Sequence, residues 1–176
     1  YFTIAVPNNA KENIKADWNI FASDVEDEFH VTDKNMIFNM ESADAEKVFL
    51  ANVGSNFIKS MQGIHNGILA MCQDEAISWV VETSSNVASI VTTDTEITIV
   101  ASQRSNVMSN LENMGNTIKS VFELAGAEVS QGDRYPAWKM NADSKLTKIA
   151  VDSYKRLFGK EPKVLGIHAG LECGLF

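Results

Sequence analysis

Apolar residues recur at helical spacing in four stretches of the chain and alternate with polar ones in several others. Residues 1–6 alternate Tyr, Thr and Ala with Phe, Ile and Val, which predicts a strand closed by Pro7-Asn8-Asn9. Asn8 or Asn9 can then cap a helix running to about Phe29, with Ile14, Trp18, Phe21 and Val25 on one side and acidic residues on the other. A second strand is predicted over Met36 to Met40. A helix opened by Ser42 or Asp44 follows, carrying Val48, Phe49, Val53, Phe57, Ile58 and Met61. From about Gly67 β-branched residues dominate. Ile68 to Met71, Ile77 to Ile90 and Glu96 to Ser102 are separated by Gln73-Asp74-Glu75 and by Thr93-Asp94, the pattern of an antiparallel meander. A helix is predicted from about Asn106 to Leu124 with Gly126 as its left-handed stop, then a short strand at Ala127 to Ser130. A last helix, Ser144 to Phe158, and a last strand, Lys163 to Ile167, complete the order. Helices alternating with a mostly antiparallel sheet predict an α+β fold, the sheet covered by helices on one side, compatible with a ferredoxin-like lobe.

Length and charge narrow the classes. At 176 residues a single domain buries roughly 70% of its unfolded surface, so a core needs no disulfides or metal. The 15 basic residues against 23 acidic ones leave a net charge of −8, the opposite of a phosphate-binding footprint. Neither nucleic acid nor an anionic membrane surface is expected as a partner, and no apolar run approaches the ~20 residues of a membrane helix. The two cysteines, Cys72 and Cys173, lie far apart and imply neither a disulfide framework nor a zinc knuckle. The chain opens on a strand-like pattern without an initiator Met, which reads as a piece of a longer protein.

Two stretches offer chemistry. Lys163 to Ile167 leads into His168-Ala169-Gly170-Leu171-Glu172-Cys173-Gly174, a glycine-bracketed loop carrying His, Glu and Cys. Such a loop presents polar groups and backbone N–H donors to a ligand, and equally describes an ordinary surface turn. Cys173 beside His168 admits a thiol nucleophile, although no third orienting group is evident and a free cysteine commonly serves as a small buried hydrophobe. The second stretch is Val81 to Ala88, where Glu82 to Asn86 are five polar residues in succession and both strand faces become polar together. That break marks a bulge, a site or a strand end. Arg104 closes the next strand. Its guanidinium suits a carboxylate held through two parallel hydrogen bonds, and an exposed strand-end arginine is the competing explanation. Tyr135-Pro136-Ala137-Trp138 reads either as an aromatic contact surface or as a plug at the core edge.

Together Val81-Glu82-Thr83-Ser84-Ser85-Asn86, Arg104-Ser105, Ala125-Gly126-Ala127-Glu128, Tyr135-Pro136-Ala137-Trp138, Asp143-Ser144 and Ile167 through Phe176 resemble the aminoacyl-histidine (Xaa-His) dipeptidases of the M20 metallopeptidase family. The resemblance runs in matching order from about residue 67. It implies a cytoplasmic, homodimeric enzyme with two zinc ions in a catalytic domain and a lid domain closing over the dipeptide substrate. It assigns residues 1–160 to part of the lid (dimerisation) domain and 161–176 to the start of the returning catalytic segment. Arg104 matches the lid arginine that binds the substrate carboxylate, and Glu172, Cys173 and Gly174 match a loop lining the substrate pocket. Asn86 and His168 match the same motifs without an assigned role. The family's His-x-Asp, Glu-Glu and Gly-Gly-His-Ser-Gly motifs are absent from this chain, so no metal ligand and no zinc are expected in it.

The leading expectation is therefore a lid-domain fragment of a zinc-dependent Xaa-His dipeptidase, inactive alone. A non-enzymatic dimerisation or interaction module is the alternative, and a Cys173-dependent hydrolase is a third reading.

Overall fold

The computed structural model of the chain describes residues 2–132, 136–139, 141 and 143–169. They divide into two compact units, Tyr1–Leu50 and Ala51–Phe176.

The first unit is built on one helix, α1 (Lys11–Phe29), entered through a 3-10 turn at Asn8–Ala10. Ala10 rather than an asparagine occupies the N-cap position, and no side chain caps the helix. The apolar side foreseen for α1 finds its partner in Phe38, whose ring centroid lies 6.2 Å from Trp18 and 6.4 Å from Phe21. Residues 2–6 and 36–40 are irregular where strands were expected. A strand needs a second backbone to take its N–H and C=O groups. Aromatic packing on α1 holds Phe38 instead.

In the second unit the first helix, α2 (Ala51–Gly63), starts later than Ser42 or Asp44. Val48 and Leu50 are 69% and 73% exposed, and without burial a turn of helix gains too little to offset its nucleation. Three strands follow, β1 (Gly67–Met71), β2 (Val81–Thr92) and β3 (Ile97–Ser105), in an antiparallel sheet of order β1-β2-β3. Helix α3 (Met108–Leu124) packs back onto β2 and β3. Its end is a Schellman motif, in which Ala127 N–H donates to the Phe122 carbonyl (3.0 Å) and Gly126 N–H to that of Glu123 (2.9 Å). Gly126 takes φ +87°, as a left-handed stop requires. The α+β class is thus an antiparallel sheet with helices against one face.

The core lies between that face and α2/α3. Ile64, Met114, Ile118 and Phe122 are buried, with Met61, Val87, Ile99, Val121 and Val129 packed around them. Asn56 of α2 donates to the Ala125 carbonyl at 3.0 Å, joining α2 to the end of α3. Helix α4 (Lys145–Phe158) ends at Gly159, φ +65°, and has no buried residue; Leu146, Ile149 and Leu157 face outward. Residues 127–130 and 163–167, expected as strands, are irregular; among the described residues β1, β2 and β3 pair with one another and not with these segments.

Register on β2 changes at one point. From Thr92↔Ile97 to Ser89↔Val100 the pairing is unbroken; it then skips Ala88 and resumes at Val87↔Ala101. This bulge places Thr83, Ser85 and Val87 on the covered face and turns Ser84 and Asn86 to the open one. Asn66 Oδ1, just before β1, accepts the Val87 N–H at 2.8 Å beside the bulge.

Two substitutions test this account by chemical denaturation. Ile118→Ala is expected to cost about 2–5 kcal/mol through loss of buried methyls. Asn66→Ala is expected to cost about 0.5–1.5 kcal/mol, with the added amide-exchange loss confined to residues around Val87.

Candidate substrate-carboxylate site

The polar run of β2 is resolved by the bulge into two layers with different tasks. On the covered face Thr83 is fully buried and Ser85 is 3% exposed. The Thr83 hydroxyl lies 2.9 Å from that of Ser105 on β3, a cross-strand pair that satisfies two polar groups without water. Next to it the Glu82 carboxylate accepts from Asn110 Nδ2 of α3 at 2.7 Å, and the Glu82 carbonyl accepts the Asn106 N–H at 3.1 Å. Those bonds anchor the sheet corner to the start of α3. Cys72 is buried at the same corner, where its Sγ accepts from Asn106 Nδ2 at 3.2 Å.

The open face carries the candidate chemistry. Ser84 and Arg104 are direct cross-strand partners, and Asn86↔Ser102 is the next pair on that side. Over them passes the segment after α4. Gly166 approaches so closely that a β-carbon there would lie 2.9 Å from Val80 Cγ2, and Val80 is itself buried. The segment then delivers His168 to the sheet. Its Nε2 lies 2.8 Å from the Ser84 hydroxyl, and its main-chain carbonyl accepts a long 3.4 Å hydrogen bond from Arg104 Nη1. Among the described residues no carboxylate pairs with Arg104.

Two causes push the His168 imidazole below its ordinary value of 6.5: burial, and then the neighbouring Arg104 charge. A backbone hydrogen bond with Val81 pulls weakly the other way. Burial and the Arg104 charge together favour the neutral ring.

Three of the residues singled out from sequence, Asn86, Arg104 and His168, thus share one sheet face although they lie far apart in the chain. Glu172, Cys173 and Gly174 lie outside the described residues, as does Tyr135. Ser84 was not singled out. Counting back from the Thr93-Asp94 turn in unbroken register would have set Ser85 opposite Arg104, and only the bulge makes it Ser84. Among the described residues no group of three or more His, Cys, Asp or Glu could hold a metal ion. Nor is any described helix long and apolar enough to cross a membrane.

Comparison with known proteins adds lineage. No family model matches the chain. Over 177 aligned residues, all of this chain, it is 32% identical to the cytosol non-specific dipeptidase of Escherichia coli (strain K12), of which it covers 36%. It superposes on the crystal structure of aminoacylhistidine dipeptidase from Vibrio alginolyticus with a TM-score of 0.84 and 32% identity, over 97% of this chain and 35% of that one. Sheet, helices and sequence together define a segment of dipeptidase fold. The chain resembles a segment of these dipeptidases and spans about a third of the length of the relatives it matches.

The depressed His168 pKa has a linkage consequence with a definite sign. The folded state binds that proton less readily than the unfolded chain, so its contribution to stability is complete above pH 6.5 and is lost as pH falls toward the folded value. Protection of the amides of residues 166–169, taken relative to their intrinsic exchange rate at each pH, is expected to fall on acidification below about pH 6.5. Arg104→Ala should move the His168 titration, followed by NMR, up toward 6.5; an unmoved midpoint would show that the guanidinium is not the cause.

Proposed function

We propose that this chain is the substrate-carboxylate part of a zinc-dependent dipeptidase that hydrolyses Xaa-His dipeptides. Residues 1–160 belong to its lid and 161–176 begin the returning catalytic segment. The carrying observation is Arg104. It stands exposed at a strand end, one Nη1 contact is given to the His168 carbonyl, and no described carboxylate neutralises it. A dipeptide's terminal carboxylate is the planar, bidentate partner such a fork takes best. Asn86, one pair further along the same face, offers an amide to the same ligand. Glu172, Cys173 and Gly174 belong in this reading to the loop lining the substrate pocket, with Glu172 toward the amino end.

The division of labour follows from the residues available. This part binds and orients; the two zinc ions and their ligands come from stretches of the relatives that the chain does not span. In the whole enzyme those ligands would hold the zinc ions, which would supply Lewis-acid chemistry for peptide hydrolysis. The relatives are dipeptidases by name, one of them cytosolic, which supports a cytoplasmic hydrolase. The reading adds a homodimer with no nucleic-acid and no membrane partner. The net charge of −8 agrees with the last two points. The outward apolar side of α4 favours one rival, a non-enzymatic dimerisation module.

A chimera separates the two readings, with this chain replacing the matching stretch of the Escherichia coli enzyme. Arg104→Ala is expected to lower kcat/KM for β-alanyl-histidine roughly 10- to 100-fold with the dimer intact, the loss expected for charge-assisted hydrogen bonds. Unchanged kinetics with a monomerised enzyme would favour the module. The isolated chain given zinc is expected neither to bind it stoichiometrically nor to turn over substrate.

A further inference from the structure

The face that holds Arg104 also holds a contact that the carboxylate reading does not use, between Ser84 and His168. A strand-borne hydroxyl and an imidazole more than eighty residues away meet at 2.8 Å, part-buried, directly beside Arg104. The direction of that bond depends on the ring's tautomer. In a neutral ring one nitrogen carries a proton and the other accepts, so with Nε2 unprotonated the Ser84 hydroxyl is the donor.

We propose that Ser84 is a positioning residue: its hydroxyl donates to Nε2 of a neutral His168, and this bond holds the His168 carbonyl on one edge of Arg104 while the other edge stays open to a carboxylate. This rests on the reading of Arg104 as the carboxylate-binding group. The geometry is a closed circuit. Ser84 is fixed opposite Arg104 by the β2–β3 register, Ser84 holds the His168 ring, and the His168 main chain returns to Arg104 Nη1 at 3.4 Å. An arginine side chain has several rotatable bonds, and an unrestrained one loses more freedom on binding a ligand than one already held at an edge. Gly166 lets the segment reach this depth, since a side chain there would meet Val80. Of the charged groups on the strands beneath the ring, Arg104 of β3 faces it, whereas the Glu82 carboxylate of β2 is engaged by Asn110.

The test uses the 15N-labelled chain. Long-range imidazole spectra should show His168 as the tautomer with an unprotonated Nε2, titrating below 6.5. Ser84→Ala should mix the tautomers, raise the midpoint toward 6.5 and broaden or move the Arg104 Nε–H resonance; Ser84→Thr, which keeps the hydroxyl, should restore all three. In the chimera Ser84→Ala is expected to raise KM roughly 3- to 10-fold, as for one neutral hydrogen bond, with kcat little changed. A Ser84→Ala chain with dispersed sheet resonances but an unmoved His168 titration and Arg104 signal would overturn the proposal, as would failure of Ser84→Thr to differ from Ser84→Ala. A separate titration of the wild-type chain with N-acetylhistidine reads the underlying assumption. If Arg104 does not respond while the His168 signature still depends on Ser84, the carboxylate reading fails and the Ser84 contact stands.

Discussion

A β-bulge adds one residue to one strand, and the pleat turns that single residue into a change of face for everything beyond it. In β2 the added residue is Ala88, and both faces of the sheet depend on it. Before the bulge Ile90 and Thr92 pair with Ile99 and Ile97; beyond it Val87, Ser85 and Thr83 continue that same covered row. Val87 packs on the core, and Thr83 can be buried because Ser105 lies across from it. Without the extra residue, Ser84 and Asn86 would face α3, and Ser85 would stand opposite Arg104. The Asn66 side chain, accepting the Val87 N–H, occupies the position at which β1 has run out of backbone to offer.

The open face inherits its character from that switch. Directly opposite the arginine stands a serine, not a carboxylate. The segment after α4 supplies a neutral imidazole and a carbonyl in place of a carboxylate. Both can orient Arg104 without neutralising it. An aspartate or glutamate there would satisfy the arginine and close it to any ligand. The open face thus carries the arginine, while the opposite face holds the Thr83–Ser105 hydroxyl pair and aliphatic packing.

Much of this was legible along the chain. The helical periodicities marked α1, α3 and α4 because each keeps its apolar stripe over several turns, and Gly126 marked the left-handed stop of α3. Strand pattern was a weaker guide. Residues 2–6, 36–40, 127–130 and 163–167 all carry β-prone sequence, yet each is irregular, since pairing is a property of two segments and not of one. Arg104, Asn86 and His168 could be picked out by residue type and by family resemblance, but nothing local said that they share a face.

The sequence by itself determined the α+β class, the meander, the absence of a basic footprint and the kinship with dipeptidases, because each of these is written in periodicity, composition or ordered motifs. Tertiary structure alone decided the register. The bulge at Ala88 is set by Asn66 and by burial of Val87 against the core, contacts between residues distant in the chain, and it is what makes Ser84 rather than Ser85 the neighbour of Arg104 and His168.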